Sequence, residues 1–249
     1  MKRWYVISLS AAFVASSIAA AVAADRPVLK APVAPQKVDF GNLFYGVDAD
    51  SHGSLAGYLG VLYAPYGMHQ SGIRLTAFGL YGKYEYDSVP RNVEGRFWSG
   101  DLLVGWSNVG ANGAATLSIG ANYQDHRLSR FDPSNSVVGS EWGFKVQGDF
   151  WVTPMPSWLV VGLASYSTAF DTYYANLRVG YDFTGGRGVY FGPEFGALGN
   201  DRTDQVRVGA HLSGIQLNAV TKLNVSGGWL HERADGDGYY GTATVDVTF

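Results

Sequence analysis

The groups able to do chemistry in this sequence are five histidines, a few acidic or glycine-rich turns, and charges spaced at alternate positions. His52, His69, His126 and His231 fall in expected loops or near strand ends, and His211 falls on a polar face. His126 and Ser129 are close in sequence. A nucleophile needs a base within hydrogen-bond reach and a third group to orient that base, and no carboxylate follows at a suitable place. The GxSxG elbow, the P-loop and the dinucleotide fingerprint are all missing. Asp235-Gly236-Asp237-Gly238 is partly like a calcium loop, but it lacks the further short-spaced ligand and the distal Glu, so a solvated turn is expected. The chain contains no Cys, which rules out a disulfide scaffold and thiolate metal sites. A net charge of −3 leaves no electrostatic footprint for nucleic acid. The expectation is a non-enzyme with no catalytic residue, cofactor or metal.

The remaining charges take their meaning from the elements that carry them. In Ile215 to Trp229, the residues Ile215, Leu217, Ala219, Leu223, Val225 and Trp229 share one parity, and Gln216, Asn218, Lys222, Asn224 and Ser226 the other. Tyr173 to Phe183, Trp142 to Val152 and Tyr239 to Phe249 alternate in the same way. A period of two means strands with one apolar and one polar face. Twelve such runs are expected, near 43–50, 55–65, 71–86, 95–108, 113–126, 139–152, 157–167, 172–183, 189–198, 203–212, 215–230 and 239–249. Polar loops follow the odd-numbered runs: 51–54, 87–94, 127–138, 169–171, 199–202 and 231–238. Tighter turns follow the even-numbered ones, among them Ser213-Gly214 and the Gly-Gly-Arg-Gly hairpin at 185–188.

Composition then separates a membrane barrel from a soluble sandwich. Only 16% of residues are charged, against 47% hydrophobic and 14% aromatic, whereas a solvent-facing polar face would carry many Lys and Glu. Several runs reach the roughly 9–11 residues of a tilted spanning strand. Aromatics gather near their ends (Phe44, Tyr45, Tyr63, Tyr66, Tyr84, Tyr86, Trp142, Trp158, Tyr239, Phe249), where interfacial girdles belong. In hydrocarbon every backbone donor must be paired internally, so only closure works. The fold class expected is therefore all-β: a single transmembrane antiparallel up-and-down barrel of about twelve strands, with both termini periplasmic. Met1-Lys2-Arg3, the apolar run to Val22 and the small residues around Ala23 read as a signal peptide, 1–24. Pro27, Pro32 and Pro35 make 25–40 a periplasmic linker, leaving 41–249 for the barrel. The location implied is the outer membrane of a Gram-negative cell, among outer-membrane lipid and lipopolysaccharide. The loop around Arg127 and Arg130 is a candidate contact for lipopolysaccharide or acidic polysaccharide.

With the apolar parity facing lipid, the interior receives Asp48, Arg74, Asp101, Glu141, Lys145, Asp149, Arg178, Asp182, Glu194, Arg207, Lys222 and Asp246. Both signs are present, so a ladder of neutralising pairs across neighbouring strands is expected. Tyr58, Trp151, Tyr174, Tyr190 and Tyr240 share that parity, and such rings can either fill volume or stack on sugar. Twelve strands lie between a filled and an open bore.

Two resemblances add to this reading. The alternating run ending at Phe249 resembles the C-terminal strand that outer-membrane barrels present to the barrel assembly machinery. Tyr45-Gly46-Val47-Asp48, Gly57 to Ala64, Ser71 to Leu75 and Tyr81 to Tyr86 resemble the BcsS family, outer-membrane proteins encoded with bacterial cellulose synthesis. That likeness follows the first three strands closely and the rest in strand rhythm. It implies a place in cellulose or exopolysaccharide synthesis or export, with synthase or export components and glucan as partners, and it carries no catalytic motif. The alternative is a small-solute porin; a lipid-modifying barrel enzyme is a third, more remote class.

Overall fold

The structure, a computed structural model, describes residues 38–86 and 93–249. The expected signal peptide, most of the linker and most of the loop at 87–94 lie outside the described residues. Twelve strands run in order: β1 (Gly41–Asp50), β2 (Leu55–Tyr63), β3 (Gly72–Tyr86), β4 (Val93–Gly110), β5 (Gly113–Leu128), β6 (Gly139–Val152), β7 (Trp158–Ser167), β8 (Tyr173–Asp182), β9 (Tyr190–Gly199), β10 (Asp204–Gln216), β11 (Thr221–Glu232) and β12 (Gly236–Thr248). Each pairs antiparallel with its sequence neighbours, and β1 pairs with β12, closing the barrel. Phe249 fastens this seam. Its N–H donates to the Gly41 carbonyl (3.0 Å), and its own carbonyl accepts from Phe40 (2.7 Å) and Gly41 (3.0 Å).

Period-two patterning decides which face points where. On β6, Trp142, Phe144, Val146 and Phe150 are exposed outward while Glu141, Lys145, Gln147 and Asp149 are shielded inside. Outward aromatics form two belts. Near the rim of the odd-numbered loops, Trp98, Tyr123 and Trp142 follow one another with ring centroids 4.8 Å apart at each step. Near the other rim, Trp158 and Tyr181 meet at 5.4 Å.

Three expectations need correction. Phe44, Tyr84 and Tyr86 point into the barrel instead of joining the girdles: Phe44 stacks on Phe78 (6.2 Å), and Tyr84 packs on Phe97 (6.0 Å). At the end of β3 the pattern is reversed: Lys83 and Glu85 face outward while Tyr84 and Tyr86 turn inward, so placing aromatics outward misassigns them. Next, Ser213-Gly214 is not a hairpin turn. It is a bulge, where pairing slips between Leu212 and Ile215. Gly214 takes φ +80°, a conformation that suits glycine, and its N–H is held by Asn224 Oδ1 (2.8 Å). The real turn lies at 217–220. Finally, the two rims differ little in connection length: the longest odd-side loop spans 129–138, and the even-side turn 64–71 is nearly as long.

Pro193 stands inside β9, where it has no N–H to give. Pairing of β8 with β9 skips Val179 and Gly180 at this point, and the Val179 carbonyl instead accepts from His211 Nε2 (3.2 Å). The carbonyl can turn inward because Gly192 lies against it: a Cβ on Gly192 would sit 1.9 Å from Val179 O. Gly192→Ala is therefore expected to cost about 1–3 kcal/mol through forced backbone displacement. Gly148→Ala, where a Cβ meets nothing within 4 Å, should be nearly neutral. Urea unfolding of the two variants refolded in lipid vesicles checks the difference.

Candidate functional site

The candidate site is the barrel interior. Its charges are strapped by side chains that reach across strands. Arg207 on β10 donates to both carboxylate oxygens of Asp48 on β1 (2.7 and 3.0 Å), passing over two strands. Asp48 also accepts from the Thr242 hydroxyl (2.6 Å). Arg207 further donates to Gln205 (2.5 Å) and lies 4.7 Å over the Tyr240 ring. The Tyr240 hydroxyl donates to Glu194 (2.8 Å), again across two strands, and Glu194 pairs with Arg178. On the facing arc, Lys145 on β6 reaches over β5 to Asp101 (2.5 Å), which also accepts from Asn122 (2.5 Å). Asn122 takes the Ser167 hydroxyl (2.7 Å) and Gln124 (2.8 Å).

This corrects the expected ladder of neighbours. Of the interior Lys and Arg ion pairs among the described residues, only Arg178–Glu194 joins direct cross-strand partners; Arg207–Asp48 and Lys145–Asp101 are chords. Inward side chains converge in a closed barrel, so groups two or three strands apart come within reach, and residual lone pairs are met by Asn, Gln, Ser, Thr and Tyr. Asn122 and Gln124, nearly fully buried, were not singled out in the sequence, because an uncharged amide in a strand gives no signal until its neighbours are known.

The other expected interior residues divide by depth. Arg74 donates to the carbonyls of Ile73, Met68 and Gln70 (3.1, 3.3 and 2.7 Å), anchoring the β2–β3 turn. Asp182 accepts from the N–H groups of Thr184 (2.8 Å) and Gly188 (2.9 Å), anchoring the next turn but two on the same rim. Asp246 takes Asn42 (3.1 Å) and Asn224. Lys222 lies directly opposite Asp246 in register, and among the described residues it forms no ion pair. Asp149 stands level with Thr116 and Leu163. Glu141 accepts the Phe170 N–H (3.4 Å). Trp151 and Tyr174 leave 42% and 41% of their surface exposed, near opposite ends of the interior.

The odd-side loops fold together over part of the mouth. Residues Ala169–Asp171 form a short 3-10 turn that buries Ala169 and Phe170, with Phe170 edge-on to His126 (5.0 Å). The Asp201 N–H donates to the Phe170 carbonyl (3.0 Å), and Arg202 donates to the Ser134 carbonyl. Asp132 accepts from Ser134 and from Tyr86 (2.9 Å), and the Ser134 hydroxyl and N–H hold its carboxyl below the usual range. His126 lies near the end of β5, stacked on Phe97 (5.5 Å) and within 3.2 Å of Gln124 Oε1. Ser129 Oγ accepts the Glu94 N–H (3.1 Å). The two do not form a base–nucleophile pair.

One further cluster was illegible in sequence. His52, Glu232 and Asp235 bring their ligand atoms within 4.8 Å of one another, although they belong to loops joined only through the β1–β12 closure. His52 Nε2 faces the Asp237 carbonyl (3.2 Å), and its Nδ1 lies 3.6 Å from Glu232. Burial opposes a charge on His52, but the Asp237 carbonyl, Glu232 and Asp50 outweigh it and hold its pKa above the ordinary value.

A closed cylinder with an apolar belt outside, aromatic rims and a cross-strapped polar interior defines a membrane-type β-barrel. The chain belongs to the family of cellulose biosynthesis protein BcsS, whose family model matches residues 42–249, and so to the proteins of cellulose biosynthesis. Its fold is similar to that of an outer membrane channel from Pseudomonas putida F1, with 12% identity, a TM-score of 0.56, and coverage of 90% of this chain and 100% of that one. It also aligns with the KdgM porin at 10% identity, a TM-score of 0.46, and coverage of 84% and 99%. No curated protein sequence matches.

Two outcomes follow. Arg207→Met leaves Asp48, whose side chain is 26% exposed, without its cation; the expected loss is about 3 kcal/mol, at the low end for a broken buried pair. The double variant with Asp48→Asn should recover part of it, as urea unfolding in vesicles would show. For His52, a raised folded pKa means its contribution is complete below the unfolded value of about 6.5 and is lost as pH rises through the folded value. Protection of the 51–54 amides, corrected for the intrinsic base catalysis of exchange, should therefore fall as pH rises above about 6.5, and His52→Gln should remove that fall.

Proposed function

We propose that this chain is a non-catalytic outer-membrane barrel serving cellulose or exopolysaccharide production, whose braced interior acts as a fixed polar wall for docking export components or guiding glucan. The observation that supports this most is the set of strand-skipping chords. Interior polar groups two or three strands apart are bound to one another, as in a rigid scaffold. The family supplies the cellulose context. In this reading segment 1–24 directs export, 25–40 links through the periplasm, and both ends of the barrel chain lie on the periplasmic rim, with Phe249 read by the barrel assembly machinery. Lipid and lipopolysaccharide surround the wall.

A small-solute channel is the second reading. It is favoured by Lys222, which forms no ion pair among the described residues, and by the exposed faces of Trp151 and Tyr174, which are what a wet lumen would hold. The two are separable. Deleting the gene should lower cellulose output severalfold, with the purified barrel giving little steady conductance in planar bilayers. Unchanged cellulose together with stable conductance would support the channel. If glucan runs along the interior, Trp151→Ala with Tyr174→Ala should weaken glucan binding by about thirtyfold, since stacked rings contribute on the order of 1 kcal/mol each. Unaltered binding would remove these rings from the path.

A further inference from the structure

Lys83, Arg96 and Arg127 stand directly opposite one another on β3, β4 and β5. All three are exposed on the outer wall, where almost every other side chain between the belts is apolar or small. Like charges directly opposite one another destabilise a sheet. Arg127 has Asp125 at 2.9 Å. Among the described residues, however, neither Lys83 nor Arg96 has an ion-pair partner, although Glu85 and Glu94 face each other one step further out.

The row sits one step beyond the aromatic belt, two residues past Tyr81 and two before Trp98, at the level of lipid headgroups. Directly below it the wall is hollow. A groove of about 720 Å³ is lined by Tyr45, Val47, Leu59, Tyr81 and Trp98, and its floor is Gly57 and Gly79, where a Cβ would meet nothing closer than 3.9 and 4.0 Å. A second hollow joins it to Lys83 and Arg96.

We propose that this is a binding site for a phosphorylated, acylated glycolipid of the outer leaflet: the cation row holds the phosphates and the glycine-floored groove holds an acyl chain. Cations aligned on a membrane-facing wall complement an anionic headgroup, and the groove beneath accepts hydrocarbon in the direction an anchored lipid must run. An anion alone would leave the groove unused, and a neutral lipid would leave the row repelling itself. The site rests on the proposed topology, which puts the odd-side rim outside, but it requires nothing of the interior.

Native mass spectrometry of the refolded full chain in detergent, titrated with bisphosphorylated lipid A, tests it. Lys83→Gln/Arg96→Gln/Arg127→Gln is expected to weaken retention about tenfold, and dephosphorylated lipid A should bind both proteins equally weakly. Gly57→Leu/Gly79→Leu should weaken binding of lipid A but not of the deacylated phosphosugar. Both variants are checked for native far-UV dichroism and retarded unfolding on gels. Equal retention of bisphosphorylated lipid A by the triple-Gln variant, or binding of dephosphorylated lipid A to the unaltered protein as tight as that of the bisphosphorylated form, overturns the proposal. Competition by inorganic phosphate at comparable concentration also overturns it and reassigns the row to a free anion. Cellulose output of the triple variant reports separately on the interior's role: normal output with lost lipid retention leaves that reading intact, and lost output with full retention affects it alone.

Discussion

Everything in this molecule depends on backbone pairing between β1 and β12. A sheet immersed in hydrocarbon cannot leave an edge, because each unpaired amide or carbonyl there costs several kcal/mol. Once the ends meet, the alternation along every strand acquires a fixed meaning, with one parity meeting lipid and the other enclosed. The contacts of Phe249 with Phe40 and Gly41 are therefore part of the same constraint that places Asp48 opposite Arg207, since both belong to the seam that makes an inside.

The inside in turn has a geometry that flat sheets lack. Neighbouring strands lie about 4.8 Å apart, but inward side chains converge, and long ones meet partners two or three strands away. Arg207 with Asp48, Tyr240 with Glu194, and Lys145 with Asp101 are such meetings. Arg207, Asp48, Lys145, Asp101, Arg178 and Glu194 are each ion-paired, and all but Lys145 are further bonded to amides or hydroxyls. Buried Arg74 and Asp182 are satisfied chiefly by backbone groups. These are the conditions under which burial of charge is tolerated. Outside, the same strands show the opposite logic: single cations appear only beyond the aromatic belt, where water and headgroups return.

Much of this was legible from alternation. Trp142 to Val152 and Tyr173 to Phe183 gave both the faces and the interior charges, because an apolar parity opposed a polar one. Alternation misled at the end of β3, where the polar parity (Lys83, Glu85) faces outward, so Tyr84 and Tyr86 read as girdle residues although they turn inward. It also failed at Gly214, where a bulge has the same local composition as a turn. The His52–Glu232–Asp235 cluster and the chords were illegible for a deeper reason: they join positions far apart in sequence, and only closure and register decide which ones meet.

The inward fold of the odd-side loops carries a consequence for traffic through that mouth. Among the described residues, the segments at 129–138, 168–172 and 200–203 are knitted to one another and to Phe170, so the roof they make stands over one arc of the cylinder. What the described loops leave uncovered is eccentric. A stiff linear polymer threading it would run aslant, leaning on one flank of the bore for its whole transit.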